Sequence, residues 1–368
     1  MNQLGLILGI IICQILSCCS VEEERTQLIT VKFDIDFATP CEISDKNYIT
    51  NLSIIKLDFN DKESVIGGID KIQIVENTIF ILDKFQSKSL FCFDDTGKFM
   101  FRIHQIGKGP GEFILPEDFI VQNERIYIYD NFRKRKISYD LQGNFIEEVQ
   151  VNHFVSNVEN YTKDTVLIRP HSNNEYNYNL LATDSNLQSE YFRFIPVYYQ
   201  SEGIFSINKA FSKYNEHVLF TYGFNDTIYN YHNGLLYPYL YIDFGRNKIP
   251  IDLISSESDD YKNKIFDGGS RYVGLLDDIS ENRNLITLTI SDFSNRKHCL
   301  LSYSKTKNEG RIFDRIYVYE HEFRMSPPKT VYNEQFISVV YHSDINENAK
   351  LHSEVGNPLL IKYSLTGL

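Results

Sequence analysis

The stretch Ile106-Gly-Lys-Gly-Pro-Gly-Glu-Phe113 is the first place to look for chemistry, because successive backbone N–H groups of a glycine-rich loop can form a nest for an anion. The loop does not complete a phosphate-binding motif. Pro110 removes one donor, no Lys-Ser or Lys-Thr pair follows, and Pro116 stands where the helix of such a motif would begin. Its structural reading is a tight crossover between two like units, with glycines taking positive φ. Arg102, His104, Lys108 and Glu112 cluster about this loop and are the candidate ligand-binding residues.

The other reactive residue types are scattered. The 9 histidines, at positions 104, 153, 171, 217, 232, 298, 321, 342 and 352, contain no HxH or HxxxH spacing, so sequence nominates no metal ligands, although residues from separate repeats could still meet on an axis. No GxSxG elbow supports a serine nucleophile. The acidic doublets Asp94-Asp95, Asp259-Asp260 and Asp277-Asp278 read as loop charge rather than as paired acid and base. Tyr176-Asn-Tyr178, Tyr198-Tyr199 and Tyr229-Asn-Tyr231 could stack on sugar rings, but strand packing accounts for most of them and the chain has no Trp. No catalytic residue is assigned.

Composition narrows the partners. Lys plus Arg total 37 against 49 for Asp plus Glu, a net charge of -12, which would repel a phosphate backbone; nucleic acid is not an expected partner. The 25 Tyr and 26 Phe, with Val and Ile, dominate the regular stretches and favour strands. Leu4 to Leu16 is apolar but too short for a comfortable membrane span, and suits the core of a signal peptide. It leads into Ile15-Leu-Ser-Cys18, which resembles the lipobox of bacterial lipoproteins, with Cys18 the residue to be acylated; the n-region, Met1-Asn-Gln, lacks Lys and Arg. Ser20-Val-Glu-Glu-Glu24 beyond it resembles a surface-export signal, with a solvated tether as the alternative. The remaining cysteines, Cys19, Cys41, Cys92 and Cys299, have no CxxC spacing and read as single buried thiols rather than as a disulfide framework or zinc site.

A duplication supplies the architecture that must position all of this. Ile79-Phe-Ile-Leu-Asp83 corresponds to Ile126-Tyr-Ile-Tyr-Asp130, and Phe93-Asp-Asp-Thr-Gly-Lys-Phe99 to Tyr139-Asp-Leu-Gln-Gly-Asn-Phe145. Asp83 and Asp130, followed by basic turns (Lys84 and Lys88; Arg133 to Lys136), and Gly97 and Gly143 are therefore structural repeat positions. A period of about 47 residues is that of a four-stranded propeller blade, and continuous apolar runs mean that both strand faces are covered. Division of ~340 mature residues by this period leaves six or seven blades. Leu28 to Phe37 and Pro358 to Leu365 are strands at the two ends that could share a blade and close a ring. Ile249 to Phe266, followed by Gly268-Gly269, is read as a short helical insertion near 250–268 over one rim, with a Ser-rich acidic loop as the alternative.

These features together resemble the six-bladed β-propeller lipoproteins of Bacteroidetes, whose blades are NHL-repeat-like. The resemblance is carried by Ile66-Gly-Gly-Ile-Asp-Lys-Ile72, by the Ile106–Phe113 loop leading to Asp118-Phe119, by Asn225-Asp-Thr-Ile-Tyr229 leading to Ile242-Asp-Phe-Gly245, and by Asn357-Pro-Leu-Leu-Ile-Lys-Tyr363. It implies an all-β, six-bladed propeller of four-stranded antiparallel blades, with residues 1–17 a lipoprotein signal peptide, 18–30 an acidic tether and 31–368 one propeller domain. The expected function is a non-catalytic platform for a protein or glycan ligand at the outer membrane or cell surface, held to the membrane only through a lipid anchor. No cofactor is expected. The alternative is a hydrolase or lyase with a divalent cation, calcium, on the propeller axis.

Overall fold

The computed structural model describes residues 28–32, 42–59, 62–171, 177–197, 207–254, 265, 272–293, 295–349, 351 and 356–368. The signal segment, Cys18, most of the acidic tether, Cys19 and Cys41 lie outside the described residues. Three strands come first, β1 (Ile29–Lys32), β2 (Glu42–Ser44) and β3 (Ile49–Lys56). Blade 1 is β4–β7 (Lys71–Val75, Thr78–Asp83, Ser89–Asp94, Phe99–Ile103) and blade 2 is β8–β11 (Asp118–Gln122, Arg125–Asp130, Arg135–Asp140, Phe145–Gln150). Blade 3 is β12–β15 (Val155–Asn160, Thr165–Pro170, Tyr178–Asp184, Glu190–Pro196) and blade 4 is β16–β19 (Phe211–Tyr214, His217–Phe220, Thr227–His232, Leu235–Asp243). Blade 5 is β20–β23 (Val273–Glu281, Leu285–Asp292, Lys297–Ser304, Glu309–Phe313). After β24 (Arg315–Val318) and β25 (Phe323–Arg324), the closing blade joins β26 (Thr330–Tyr332), β27 (Gln335–Val340) and β28 (Leu359–Leu365) to β3.

The chain is thus an all-β propeller with four-stranded antiparallel blades. Its middle strands are buried on both faces: β5, β6, β13 and β21 are almost continuously inaccessible, whereas the outer strands β3, β11 and β15 are largely exposed. Successive side chains of one strand therefore serve two neighbours. Phe80, Leu82, Leu90 and Cys92 pack with Phe119, Ile126 and Ile128 of blade 2, while Ile79, Ile81, Phe91 and Phe93 pack with Ile337, Val339 and Leu360 of the closing blade. The first strands β4, β8, β12, β16, β20 and β26 contact one another in cyclic order around the axis.

Three features depart from the sequence expectation. Among the described residues there are seven sheets where six blades were expected; the additional sheet is three-stranded, with β2 parallel to β24 and β24 antiparallel to β25. Its strands are only 3, 4 and 2 residues long, too short to leave a periodic signature. The ring is closed by Ile49–Lys56 pairing with β28, not by the strand at residue 29; Ile29–Lys32 instead adds parallel to β19 and makes blade 4 five-stranded. The helical insertion is described only in part: Ile251–Ile254 forms one helical turn, and the rest of 250–268, apart from Ile265, lies outside the described residues. Cys92 and Cys299 are buried free thiols.

Closure places a load on β28. Ile361, fully buried between blades, should cost about 2–5 kcal/mol of unfolding free energy on replacement by alanine. Ile146→Ala, on the exposed strand β11, should change it by less than about 0.5 kcal/mol, with urea unfolding as the measurement.

Candidate functional site

Because every blade is an antiparallel meander, its connections alternate between two ends. At one end they are tight turns, Glu76–Asn77, Asn123–Glu124, Asn215–Glu216, Asn233–Gly234 and Asn333–Glu334, each with a residue at positive φ as two-residue hairpins require. At the other end lie the long connections 104–117 and 314–329 and the described parts of 57–70, 197–210, 244–272 and 341–358. Surface available for binding is concentrated there, where the blade scaffold holds the loops.

The starts of the first strands bring charged side chains onto the axis. Lys71 Nζ donates to Asp118 Oδ1 and Phe119 O, both at 2.8 Å, and to Val158 O at 3.3 Å, which uses all three of its N–H bonds. Asp118 Oδ2 accepts Val158 N at 2.7 Å, so one pair ties blades 1, 2 and 3 together. In the other half of the ring, Asp277 Oδ1 accepts the backbone N–H groups of Asn208, Lys209 and Asp278, and its Oδ2 accepts Asn208 Nδ2. Lys209 Nζ reaches Ser280 Oγ at 3.2 Å and Lys329 O at 3.1 Å, and Lys329 Nζ pairs with Asp278 Oδ2 at 2.5 Å. Asn157 Nδ2 donates to Asn208 O and joins blade 3 to blade 4.

Burial dominates the electrostatics of this hub. It pushes the Asp277 carboxyl up to about 7, with the neighbouring Asp278 adding to the rise and Lys329 and the N–H donors opposing it. Burial lowers Lys209 to about 8 against the pull of Asp278 and Glu159. For Lys329 burial is more than offset by Asp278 and Asp277, and the ammonium is held above its ordinary range. Asp70 is raised by burial. Among the described residues no group of three or more His, Cys, Asp or Glu side chains is placed to hold a metal ion.

The residues singled out from sequence fall into separate settings. Asp83 accepts the N–H groups of Gly67 and Gly68 with one oxygen and those of Gln86 and Ser87 with the other; Asp130 accepts Ile114, Phe132 and Arg133 in the same way. Gly97 and Gly143 sit at φ +91 and +82, and a Cβ on Gly97 would lie 2.2 Å from Lys56 O. Arg102 and His104 meet at Ser89 Oγ, each 2.9 Å from it. Glu112 turns into its own loop and accepts Gly109 N at 2.6 Å, so the glycine nest is filled by a side chain of the chain itself. Lys108 is exposed. The four candidates therefore do not converge on one ligand. The doublet Asp277-Asp278 was expected as loop charge and is instead buried on the axis. Lys71, Asp118, Lys209 and Lys329 were not read as a site; the available signal was that Lys71 and Asp118 occupy the same repeat position with opposite charge. Tyr229 and Tyr231 belong to β18, where Tyr231 packs edge-on against Tyr161 at 4.8 Å; Tyr176, Tyr198 and Tyr199 lie outside the described residues.

Residues 28–364 match the family model described as a domain of unknown function, DUF4934. The chain belongs to this family. The DUF4934 chain is similar in fold to a crystal structure of a candidate exported protein from Bacteroides fragilis, at 17% identity and a TM-score of 0.75 over 92% of this chain and 100% of that one. It is similar also to a member of the DUF4221 family from Bacteroides vulgatus, at 10% identity and a TM-score of 0.53 over 87% and 98%. At these identities the likeness shows the fold alone. No curated protein matches the DUF4934 chain, and no helix among its described residues is long and apolar enough to cross a membrane.

Two outcomes follow from the hub. Asp118→Ala leaves the Lys71 ammonium buried and unpaired and should cost about 3–5 kcal/mol in denaturant unfolding. The Asp277 carboxyl is raised from 3.8, so its contribution to stability is full below that value and is lost as pH rises through about 7. Lys209 is depressed from 10.5, so its contribution is full above that value and is lost as pH falls through about 8. Unfolding free energy measured from pH 4 to 10.5 should dip near neutrality, Asp277→Asn should flatten the acidic limb, and Lys209→Met should flatten the alkaline one.

Proposed function

We propose that the protein is an exported lipoprotein of the outer membrane or cell surface, acylated at Cys18, whose propeller is a non-catalytic platform for a protein or glycan ligand. In this reading the blades have an NHL-like pattern, and the three-stranded sheet β2–β24–β25 packs between blade 5 and the closing blade. The observation that carries the platform reading is the axial hub: its ammonium groups and all but one of the oxygens of Asp118, Asp277 and Asp278 are engaged with one another, with hydroxyl and carbonyl oxygens and with N–H donors, Asp278 Oδ1 alone lacking a hydrogen bond, which makes a stiff scaffold rather than a reactive centre. The long connections gathered at one end supply the ligand-facing surface, and the fold shared with a candidate exported protein agrees with location in the envelope. The alternative, a calcium-dependent hydrolase or lyase on the axis, is disfavoured because the ammonium groups of Lys71, Lys209 and Lys329 sit beside the carboxylates that would have to hold the dication.

Photo-crosslinking in cells tests the platform. A cross-linking residue at Arg246 or Tyr319, in two of the long connections, should give a discrete adduct, and one at Asn123 or Asn333, in the tight turns, should give none. Adducts from the tight-turn end alone would overturn the assignment. The anchor is tested by labelling with an alkyne fatty acid, which should mark the wild type and not Cys18→Ala.

A further inference from the structure

Phe132 and Phe85 are the two most exposed large apolar side chains among the described residues, at 68% and 62%. They occupy the same repeat position, each in the short turn between the second and third strands of its blade, 84–88 in blade 1 and 131–134 in blade 2. An exposed apolar residue at one turn is ordinary; the same residue type at equivalent turns of adjacent blades makes a surface. The crossover 104–117 joins them. Lys84, next to Phe85, pairs with Glu117 of the crossover, and Arg133, next to Phe132, bonds Glu112 O on its other flank. Ile106, 45% exposed, lies in this same crossover, so the three apolar side chains project from one continuous rim.

The exposed charge on that rim that lacks an ion pair is basic. Its carboxylates are engaged: Glu117 with Lys84, Glu148 with Arg133 and Arg135, Glu63 with Arg102 at 3.6 Å, Glu112 with Gly109 N, and the buried Asp83 and Asp130 with the backbone N–H groups of their turns. Lys88, Lys108 and Lys134 are exposed and form no ion pair among the described residues. The chain carries a net charge of -12, so a local surplus of lysine around protruding phenylalanines runs against its overall composition.

We propose that the rim of blades 1 and 2 docks on an anionic lipid surface, with Phe85, Ile106 and Phe132 entering the boundary between headgroups and acyl chains and Lys88, Lys108 and Lys134 meeting lipid phosphates. Phe85 and Phe132 stand in separate short turns with Ile106 in the crossover between them, and a fluid bilayer conforms to separate tips. Aromatic side chains flanked by lysines are the chemistry of interfacial insertion, and lysines beside an anionic bilayer add attraction that salt screens. The contact goes beyond the platform reading and does not depend on acylation of Cys18; it would hold a tethered propeller at a fixed tilt.

The absence of Trp from the chain allows a direct test. Phe85→Trp or Phe132→Trp in the full-length protein introduces a single indole, and Phe192→Trp, at a 51% exposed position of blade 3, is the control. With phosphatidylcholine–phosphatidylglycerol vesicles, emission from positions 85 and 132 should shift to the blue and be quenched by brominated acyl chains, while position 192 stays unchanged. Each lysine near an anionic surface contributes about a fivefold gain in partitioning, so the Lys88→Gln, Lys108→Gln, Lys134→Gln triple variant should need ~100-fold more lipid for the same shift. Because the readout is positional, it separates rim docking from insertion of an acyl anchor, which would affect no position selectively. No shift at positions 85 and 132 with saturating vesicles would overturn the proposal, as would equal shifts at all three positions; either result would leave the rim as a surface for a protein partner.

Discussion

A strand buried on both faces needs a neighbour on each side, and this requirement governs the whole molecule. β5 and β6 send alternate side chains to blade 2 and to the closing blade, so neither interface can be removed without exposing half of each strand's apolar surface. A row of such blades would end in two bare faces. The chain avoids them by bending into a ring and pairing its last strand with one from near its start, Leu359 to Lys56 through Leu365 to Ile49. Burial, closure and the late return of the C-terminus to the N-terminal region are one constraint seen at three scales.

The same closure sets the problem that the axis has to solve. Bringing the starts of several inner strands together desolvates whatever those strands carry, and here they carry three lysines and several carboxylates. A charge taken from water is tolerated only when it is paired and its remaining hydrogen bonds are met. Lys71 meets three oxygens, and Asp277 meets four N–H groups from two blades. The groups that join blades are thus the ones whose separation would be most costly, and the hub specifies which blade follows which.

Legibility in the sequence followed burial. The middle strands of blades 1 and 2 were readable because two buried faces demand unbroken apolar runs, and Asp83 and Asp130 because a buried turn demands the same acceptor twice. Outer strands such as β11 and β15 face water, tolerate any residue and left no pattern; the short strands of the three-stranded sheet left none either. The axial site was hidden for a different reason. Its members come from separate blades, and the repeat that aligns Lys71 with Asp118 conserves position while inverting charge, so a comparison by residue type passes over the pair. The tight turns carry a signature of their own, since Asn-Glu recurs at 123, 215 and 333 between a first and a second strand. The glycine loop was the most conspicuous motif in the chain, and it proved to be a crossover whose N–H groups are met by its own Glu112 and by Glu148 of blade 2.

The N-terminal segment adds something the ring alone does not need. Before blade 1 its described strands attach to three different sheets, with β1 on blade 4, β2 beside β24 and β3 in the closing blade. Both of its first two attachments are parallel ladders, Ile29 to Lys32 against Leu240 to Asp243 and Glu42 to Ser44 against Arg315 to Tyr317. A pull along either strand strains the hydrogen bonds of its parallel ladder in shear and together rather than one after another. The N-terminal segment is thus fastened to three separate sheets before the chain enters blade 1.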